Sequence, residues 1–552
     1  MDGKTIKRRL AALMSDRNNI EGMWDIIERF IVPYRAMMFQ SKDSEGNIDW
    51  RRREIYDSTA IQANTNLAAH IHGAMTNSEL KWFGFGFQDL ALRKTADAKE
   101  WLEEADEITY QSIKQSNFDL EANEIYIDLT AFGGGVMTSM PEETDTMELD
   151  QTRYKTLPVD ECYYDLDING DVMNFYRVIQ WTADQIVDKF GDEGLPSPIL
   201  AAYHNDGRAT ERFKIIFCIY KRRDIVGANT FNMLAVDKRP YGSRYIFWDD
   251  CSEIGEEGGH HEMPVFVPQW RRVSGSKHGF SPSMIAIWDV LTLNQLEELI
   301  LVAGEKVLDP TLLTTKKGVF GDIDLSAGGT VVVQDIEKSM KAFESRARFD
   351  VSALQRRELI EAINEAYYVN ELKLKESPAM TAAEVHARVQ LMQRLIGPTF
   401  GRLKTHFMDP AVTRQFMINY RYKKFPPLPD SIAKAGNSTL KIDYLGTLAK
   451  AQKMEAASSV ERWVGSMIAM SERFPTVMDI VDIDSIAREQ AENEGVPTRL
   501  LNTQAEVKST RDKRQKDMDR QKQIALAQAE GDAAQSVGAG NQAMKEAGQG
   551  AT

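Results

Sequence analysis

Residues 375–407, KESPAMTAAEVHARVQLMQRLIGPTFGRLKTHF, decide how this chain is organised. Thr381, Ala382, Ala383 and Glu384 make a capping box, in which the threonine and glutamate side chains reciprocally satisfy the first exposed amides of a helix. From that start Val385, Val389, Met392, Ile396, Phe400, Leu403 and Phe407 recur at helical spacing. Gly397-Pro398 interrupts the run, and because proline removes a backbone bond and crowds the preceding turn, the spacing predicts a kink there. Another helical pattern, from Val351 to Tyr368, ends only a dozen residues earlier. The connection VNELKLKESPAM, 369–380, is longer than two packed helices need, and Pro378 narrows its conformations.

The pattern extends upstream. GFSPSMIAIWDVLTLNQLEELILVAGEKVLDP, 279–310, has Ser281 as N-cap, Pro282 at the first helical position and Pro310 just past the end. At 1.5 Å per residue this makes a rod of roughly 40 Å. Ile285, Trp288, Leu291, Leu296, Leu299 and Val302 cover more than one stripe of it, so it needs cover on several sides, from its own chain or from neighbouring copies. TLLTTKKGVF (311–320) and GGTVVVQD (328–335) read as short strands, so two helices bracket a small β insertion.

Toward the N-terminus, Ile6, Leu10, Leu13, Ile20, Trp24, Ile27 and Ile31 recur at three- and four-residue steps before Pro33. DSTAIQANTNLAAHIHGAMTN (57–77, with Asp57 or Ser58 as cap), KEWLEEADEITYQSIKQS (99–116) and DLEANEIYIDLTAF (119–132) continue the helical character through the first 140 residues. After Gly133–Gly135 the character changes. YKTLPVDECYYDLDINGDVMNFYRVIQW (154–181) alternates around Asn169-Gly170, a hairpin signal, and RFKIIFCIYKRR, SRYIFWDD and MPVFVPQWRRV extend the β-rich region, with EEGGHHE (256–262) read as a glycine-rich loop. KKFPPLPD (423–430) reads as a rigid linker and Lys441–Ser471 as helical. The stretch 503–535 is rich in helix formers without an aromatic residue, consistent with a helix packing only on copies of itself or with disorder; the final 538–552 reads as mobile.

The totals exclude several classes. In 552 residues, 43% are hydrophobic and 27% charged, as in soluble globular chains of several domains, and no apolar run reaches the roughly 20 residues of a membrane helix. No export signal is evident, and Cys162, Cys218 and Cys251 are odd in number and in no ligand spacing, which predicts free thiols in a reducing compartment. A net charge of -15 argues against gripping nucleic acid over the whole surface without excluding contact with DNA, since a strongly basic lining would hinder a duplex that must slide.

Chemical motifs are weak. DLDINGDVMNFY (165–176) mimics a calcium loop, but Tyr176 stands where the bidentate glutamate belongs and the flanks read as strands. Asp165, Asp167 and Asp171 could alternatively hold Mg²⁺ for phosphodiester cleavage, a metal-dependent nuclease reading. His70 and His72 point to different faces of one helix, and His260, His261 and Glu262 lack a further ligand. No phosphate-binding loop or nucleophile motif appears, so the residues call for no cofactor, metal or catalytic group. A helical scaffold or adaptor without a pore is a second alternative.

The residues also carry a resemblance. REIYDSTAIQANTNLAAHIHGAMTNSELKWFGF (53–85), GFSPSMIAIWDVLTLNQLEE with its following VLDP, MTAAEVHARVQLMQRLIGPTFGRLKTHFMDPAV (380–412) and LGTLAKAQK (445–453) resemble, in order, the head-to-tail connector or portal proteins of short-tailed, T7-like bacteriophages. Lys81, Phe280 and Asp309-Pro310 depart from the family pattern. The resemblance implies an α+β, mainly helical portal fold: a wing over 1–275, a stem helix over 276–309, a clip over 310–348, a second stem helix over 349–368, a tunnel loop over 369–380, a kinked wing helix over 381–425, a crown over 440–502, and a helical barrel with a mobile tail over 503–552. It also implies a dodecameric ring, assembled in the host cytoplasm and placed at one vertex of the virion capsid. Its channel would pass double-stranded DNA during packaging and ejection, with Asn370, Glu371, Lys373 and Lys375 of the tunnel loop facing it. Expected partners are the terminase motor, tail adaptor proteins, and the major capsid and scaffolding proteins, with no membrane.

Overall fold

A computed structural model describes residues 1–35, 54–77, 81–143, 148–308, 349–372, 397–434 and 440–444, apart from 90–91, 93–94, 169, 206 and 226–230. It also describes four short strands between 312 and 342 and, near the C-terminus, 460, 462–470, 474, 480, 482–494, 502 and 506–523. The chain divides into two compact units, Met1–Phe85 with Glu104–Pro427 and Ile442–Ala451, and Gly86–Glu103 with Leu428–Lys441 and Gln452–Thr552.

The order begins α1 (Gly3–Phe30), α2 (Thr59–Met75), β1 (Phe83–Phe87), α3 (Ala96–Gln115) and α4 (Phe118–Phe132). There follow β2 (Val136–Glu143), β3 (Leu149–Leu157), β4 (Cys162–Leu166), β5 (Val172–Thr182), α5 (Ala183–Phe190), α6 (Ser197–Tyr203), β6 (Arg212–Lys221), β7 (Tyr241–Phe247), β8 (Glu253–His260) and β9 (Val265–Phe266). Next come α7 (Pro282–Leu308), β10 (Leu312–Thr314), β11 (Val319–Phe320), β12 (Val332–Val333), β13 (Met340–Ala342), α8 (Phe349–Ala366) and α9 (Val369–Leu372). The series closes with α10 (Asp409–Arg421), α11 (Asp430–Lys434), β14 (Leu440–Tyr444) and α12 (Ile483–Glu494). The class is α+β, with helix outweighing strand. β4 to β8 form an antiparallel meander in sequence order, and β3-β2-β9 a smaller sheet. Among the described residues between α7 and α8, β10 pairs with β13 and β11 with β12, three of these strands falling in the stretches 311–320 and 328–335 read as strands.

One helix ties the two layers of the first unit together. The early turns of α1 place Ile6 and Leu10 on the meander against Tyr163, Tyr176, Ile216 and Ile246. Its later turns place Trp24, Ile27 and Ile31 in the helical core with Leu67, Ile71, Ile125 and Phe132. Between them Arg17, 3% exposed, donates to the carbonyls of Val159, Asp160 and Cys162 at 3.1, 2.8 and 3.0 Å and pairs with Glu21 at 2.6 Å. A buried guanidinium is tolerated only when its donors are satisfied in this way.

α10 is fixed by a second buried arginine. Arg414 donates to the Ser139 carbonyl at 3.1 Å and to the Glu262 carboxylate at 3.1 Å, which also accepts from Arg421. The segment EEGGHHE, expected as a loop, instead supplies most of β8. Gly258 and Gly259 lie where a Cβ would strike the Ser243 hydroxyl at 2.5 Å and the Val236 carbonyl at 2.5 Å, so their bareness serves close strand packing. Glu257 beside them accepts from Arg222 and Arg244, which hold its carboxyl at about 2.

One further expectation needs correction. Residues 440–444, read as helical from Lys441, form β14, which pairs with β1. β1 itself, FGFGF, lies in the stretch expected to be mostly helical. Its alternating phenylalanines face the core, and Trp82 beside it stacks on Tyr444 at 6.4 Å. The capping box at 381 and the approach to Gly397-Pro398 lie outside the described residues. Helix is present from 397, and its irregularity falls at Lys404–Met408, a π turn in which the Asp409 amide bonds the Lys404 carbonyl. Pro410 follows directly. It has no N–H and would crowd the carbonyl of an ordinary preceding turn, and a widened turn relieves both problems. In the second unit, 506–523 is helical and exposed, and Arg511 forks onto Asp484 at the start of α12 at 2.5 and 2.6 Å.

Candidate functional site

α7 enters the core through two buried hydroxyls. Ser281 Oγ accepts from the Met284 amide at 3.0 Å, the N-cap read from the sequence, and donates to the Ala131 carbonyl at 2.7 Å. Ser283 Oγ donates to the Thr130 carbonyl at 2.9 Å and lies 2.7 Å from the Tyr367 hydroxyl. Glu297 pairs with Arg356 further along. Since 283 meets 367 and 297 meets 356, α7 and α8 run antiparallel as a hairpin. Asn294 holds the segment before α2, donating to the Glu54 carbonyl at 2.9 Å and accepting from the Tyr56 amide at 2.8 Å.

The two faces of α7 have different fates. Met284, Ala286, Ile287, Val290 and Leu293 are buried in the helical core. Ile285, Trp288, Leu299 and Val302 are exposed, Trp288 at 62% and Leu299 at 59%. With Thr292 and Gln295, also exposed, they fall at steps of three and four residues: 285, 288, 292, 295, 299, 302. This is the a/d spacing of a helix-to-helix seam. Large apolar side chains left in water along such a line make a contiguous patch of the kind that serves interaction.

The loop expected over 369–380 begins differently. Tyr368, with φ of 57°, breaks α8, and the chain then makes the helical turn α9. Val369 is buried while Asn370 and Glu371 are exposed on that turn. Lys373 and Lys375 lie outside the described residues.

The candidate metal positions are occupied with structural work. Asp167 accepts from the Asp171 amide at 2.9 Å to close the β4–β5 turn, and Asp165 lies 3.7 Å from Lys277. His72 faces Asp119 at 2.9 Å while His70 is exposed. Among the described residues no group of three or more His, Cys, Asp or Glu could hold a metal ion, and no helix is long and apolar enough to cross a membrane. Cys162 and Cys218 are buried free thiols and Cys251 a half-buried one.

His260 and His261 sit instead among Arg222, Arg239, Arg414 and Arg421. Burial, and then those cations, hold both imidazoles down at about 3; burial and Arg17 hold His278 at about 4. The unfolded chain therefore takes up protons near pH 6.5 that the folded chain refuses, so stability is lost as pH falls from about 6.5 toward 4. Asp128, raised to about 6 by burial, acts in the opposite sense but is one group against three. A thermal midpoint that drops by several degrees between pH 7 and pH 4.5 is the expected result; a flat profile would contradict this burial.

Against this geometry the comparisons are specific. A model of the family described as bacteriophage head to tail connecting protein matches residues 3–501. The chain belongs to that family. It is similar to the portal protein of Salmonella phage epsilon15, 23% identical over 531 residues covering 95% of this chain and 93% of that protein. It is also similar to the probable portal protein of Bordetella phage BPP-1, 25% identical over 547 residues covering 97% and 95%. This head-to-tail connecting protein is thus a structural component of the virion at the capsid vertex and not an enzyme. The acidic-cluster nuclease and the pore-free adaptor are not favoured.

Proposed function

We propose that this connecting protein closes into a ring of twelve copies around a channel for double-stranded DNA. The observation that carries the reading is the exposed seam of α7, Ile285 to Val302: a rod anchored at one end in its own core and apolar along its outer side is completed by the same rod of a neighbour. In this reading 1–275 with 381–425 is the wing, α7 and α8 the stem, and the β insertion at 310–348 the clip that meets the terminase motor and tail adaptors. Residues 440–502 form the crown and 503–552 the barrel and tail. The major capsid and scaffolding proteins surround the wing. The turn and loop 369–380 narrow or widen the channel, since a segment that buries little can move while the stem keeps its packing. Asn370 and Glu371 stand at its base, and Lys373 and Lys375 make brief phosphate contacts.

Negative-stain imaging with light scattering tests both levels. Wild type and the Lys373→Glu, Lys375→Glu double variant should both show rings with an axial hole, and the variant should lose packaging efficiency or DNA retention severalfold. A compact monomer or a filament without a lumen would overturn the ring. Rings with unchanged DNA handling would overturn the role of the lysines alone.

A further inference from the structure

With a net charge of -15, this protein can hold a polyanion only where the charge reverses locally. Residues 506–523 provide such a reversal. This exposed helix carries seven Lys and Arg against four Asp and Glu. Arg511 turns one side of it toward Asp484. At about 100° per residue, Ser509, Lys513, Lys516 and Arg520 fall within about 40° of the opposite direction. Glu506, at the start of the helix, lies at the edge of that range, and from Ser509 to Arg520 the stripe carries no acidic residue. Lys513 and Lys516, with Lys508, Ser509 and Asp512, also line one open depression.

We propose that this face holds the phosphate backbone of double-stranded DNA without reading its sequence. Lysines are mobile point charges suited to phosphate, and the stripe has none of the aromatic or aliphatic anchors that a protein partner would fill pockets with. With only Val507 and Met518 as apolar residues, this helix gains little from packing on copies of itself, and a ring of such helices brings like charges together unless a polyanion lies among them. The proposal rests on the reading that the ring passes DNA, and adds a second contact, remote in sequence from the loop at 369–380.

The test uses the full-length protein and Lys513→Gln, Lys516→Gln, Arg520→Gln combined, substitutions that keep helix propensity. Binding of a labelled 30-base-pair duplex is followed by fluorescence anisotropy through a salt series. Each phosphate contact contributes about 0.9 to the slope of log affinity against log salt, so the triple variant should lose roughly 2.7 from it. Rings of normal subunit number with an unchanged slope would overturn the proposal, as would wild-type rings that bind no duplex. Equal wild-type affinity for poly-glutamate at matched charge would make this an acidic-peptide site and overturn it too. A variant changed in subunit number but not in slope would assign the face to a second copy and would likewise overturn DNA binding there. Failure of the wild type to form rings would instead count against the channel reading, and is seen separately by imaging.

Discussion

Gly279→Ala is expected to leave the protein largely insoluble. A methyl group at 279 would sit 2.0 Å from the Gly133 carbonyl oxygen and 3.2 Å from Gln269 Cβ, and its main-chain obstacle cannot rotate away. Gly133, with φ of 81°, ends α4 in the left-handed region, where the Trp270 amide donates to its carbonyl at 3.0 Å. The two glycines thus weld the end of α4 to the strand-like approach of α7. Separating them moves Ser281 off Ala131 and tilts the whole rod. Overpacking against side chains costs about 1–3 kcal/mol, and against backbone the cost should reach at least the top of that range. Soluble yield and thermal midpoint read it out. Gly304→Ala in the same helix meets nothing within 4 Å and should be neutral or stabilising by up to about 1 kcal/mol. A Gly279→Ala protein within about 0.5 kcal/mol of wild type would refute the weld.

Trp288→Glu should separate folding from assembly. Trp288 is 62% exposed in the single chain, so most of its side chain faces solvent and the subunit loses little internal packing. In the proposed ring the same position would become a buried carboxylate without a partner, at a cost of several kcal/mol per interface in addition to the lost apolar area. About 4 kcal/mol corresponds to a thousandfold weaker association. Light scattering should report monomers whose circular dichroism and melting resemble wild type. Leu120→Glu, at a residue 72% exposed away from the seam, should still form rings. Intact rings from Trp288→Glu would remove the seam from the interface.

Much of this arrangement was legible in residue spacing. The periods of α1, α2, α4, α7 and α8 were readable because each carries an apolar stripe at helical spacing, and the start of α7 because Ser281-Pro282 caps it where the residues indicate. What remained hidden was decided by neighbours distant in sequence. EEGGHH carries turn residues, yet becomes a strand because β7 and Val236 approach too closely for side chains. FGFGF was masked by its glycines, and KIDY by its shortness, until each met the other. The period of α7 showed excess apolar breadth but not which side faced water. Only the placement of the α2, α4 and α8 packing partners singles out 285, 288, 299 and 302 as the uncovered line.

The path of α1 has a mechanical corollary. Because a single unbroken helix is rooted in both the meander and the helical core, with the Arg17 guanidinium lodged at the crossing, neither half can come loose while the other stays whole. Peeling the sheet away would strand a cation among carbonyls and bare the Trp24 end together with the Ile6 end. A load on the meander is accordingly delivered to the helical core in which α7 is rooted, and the two halves yield together.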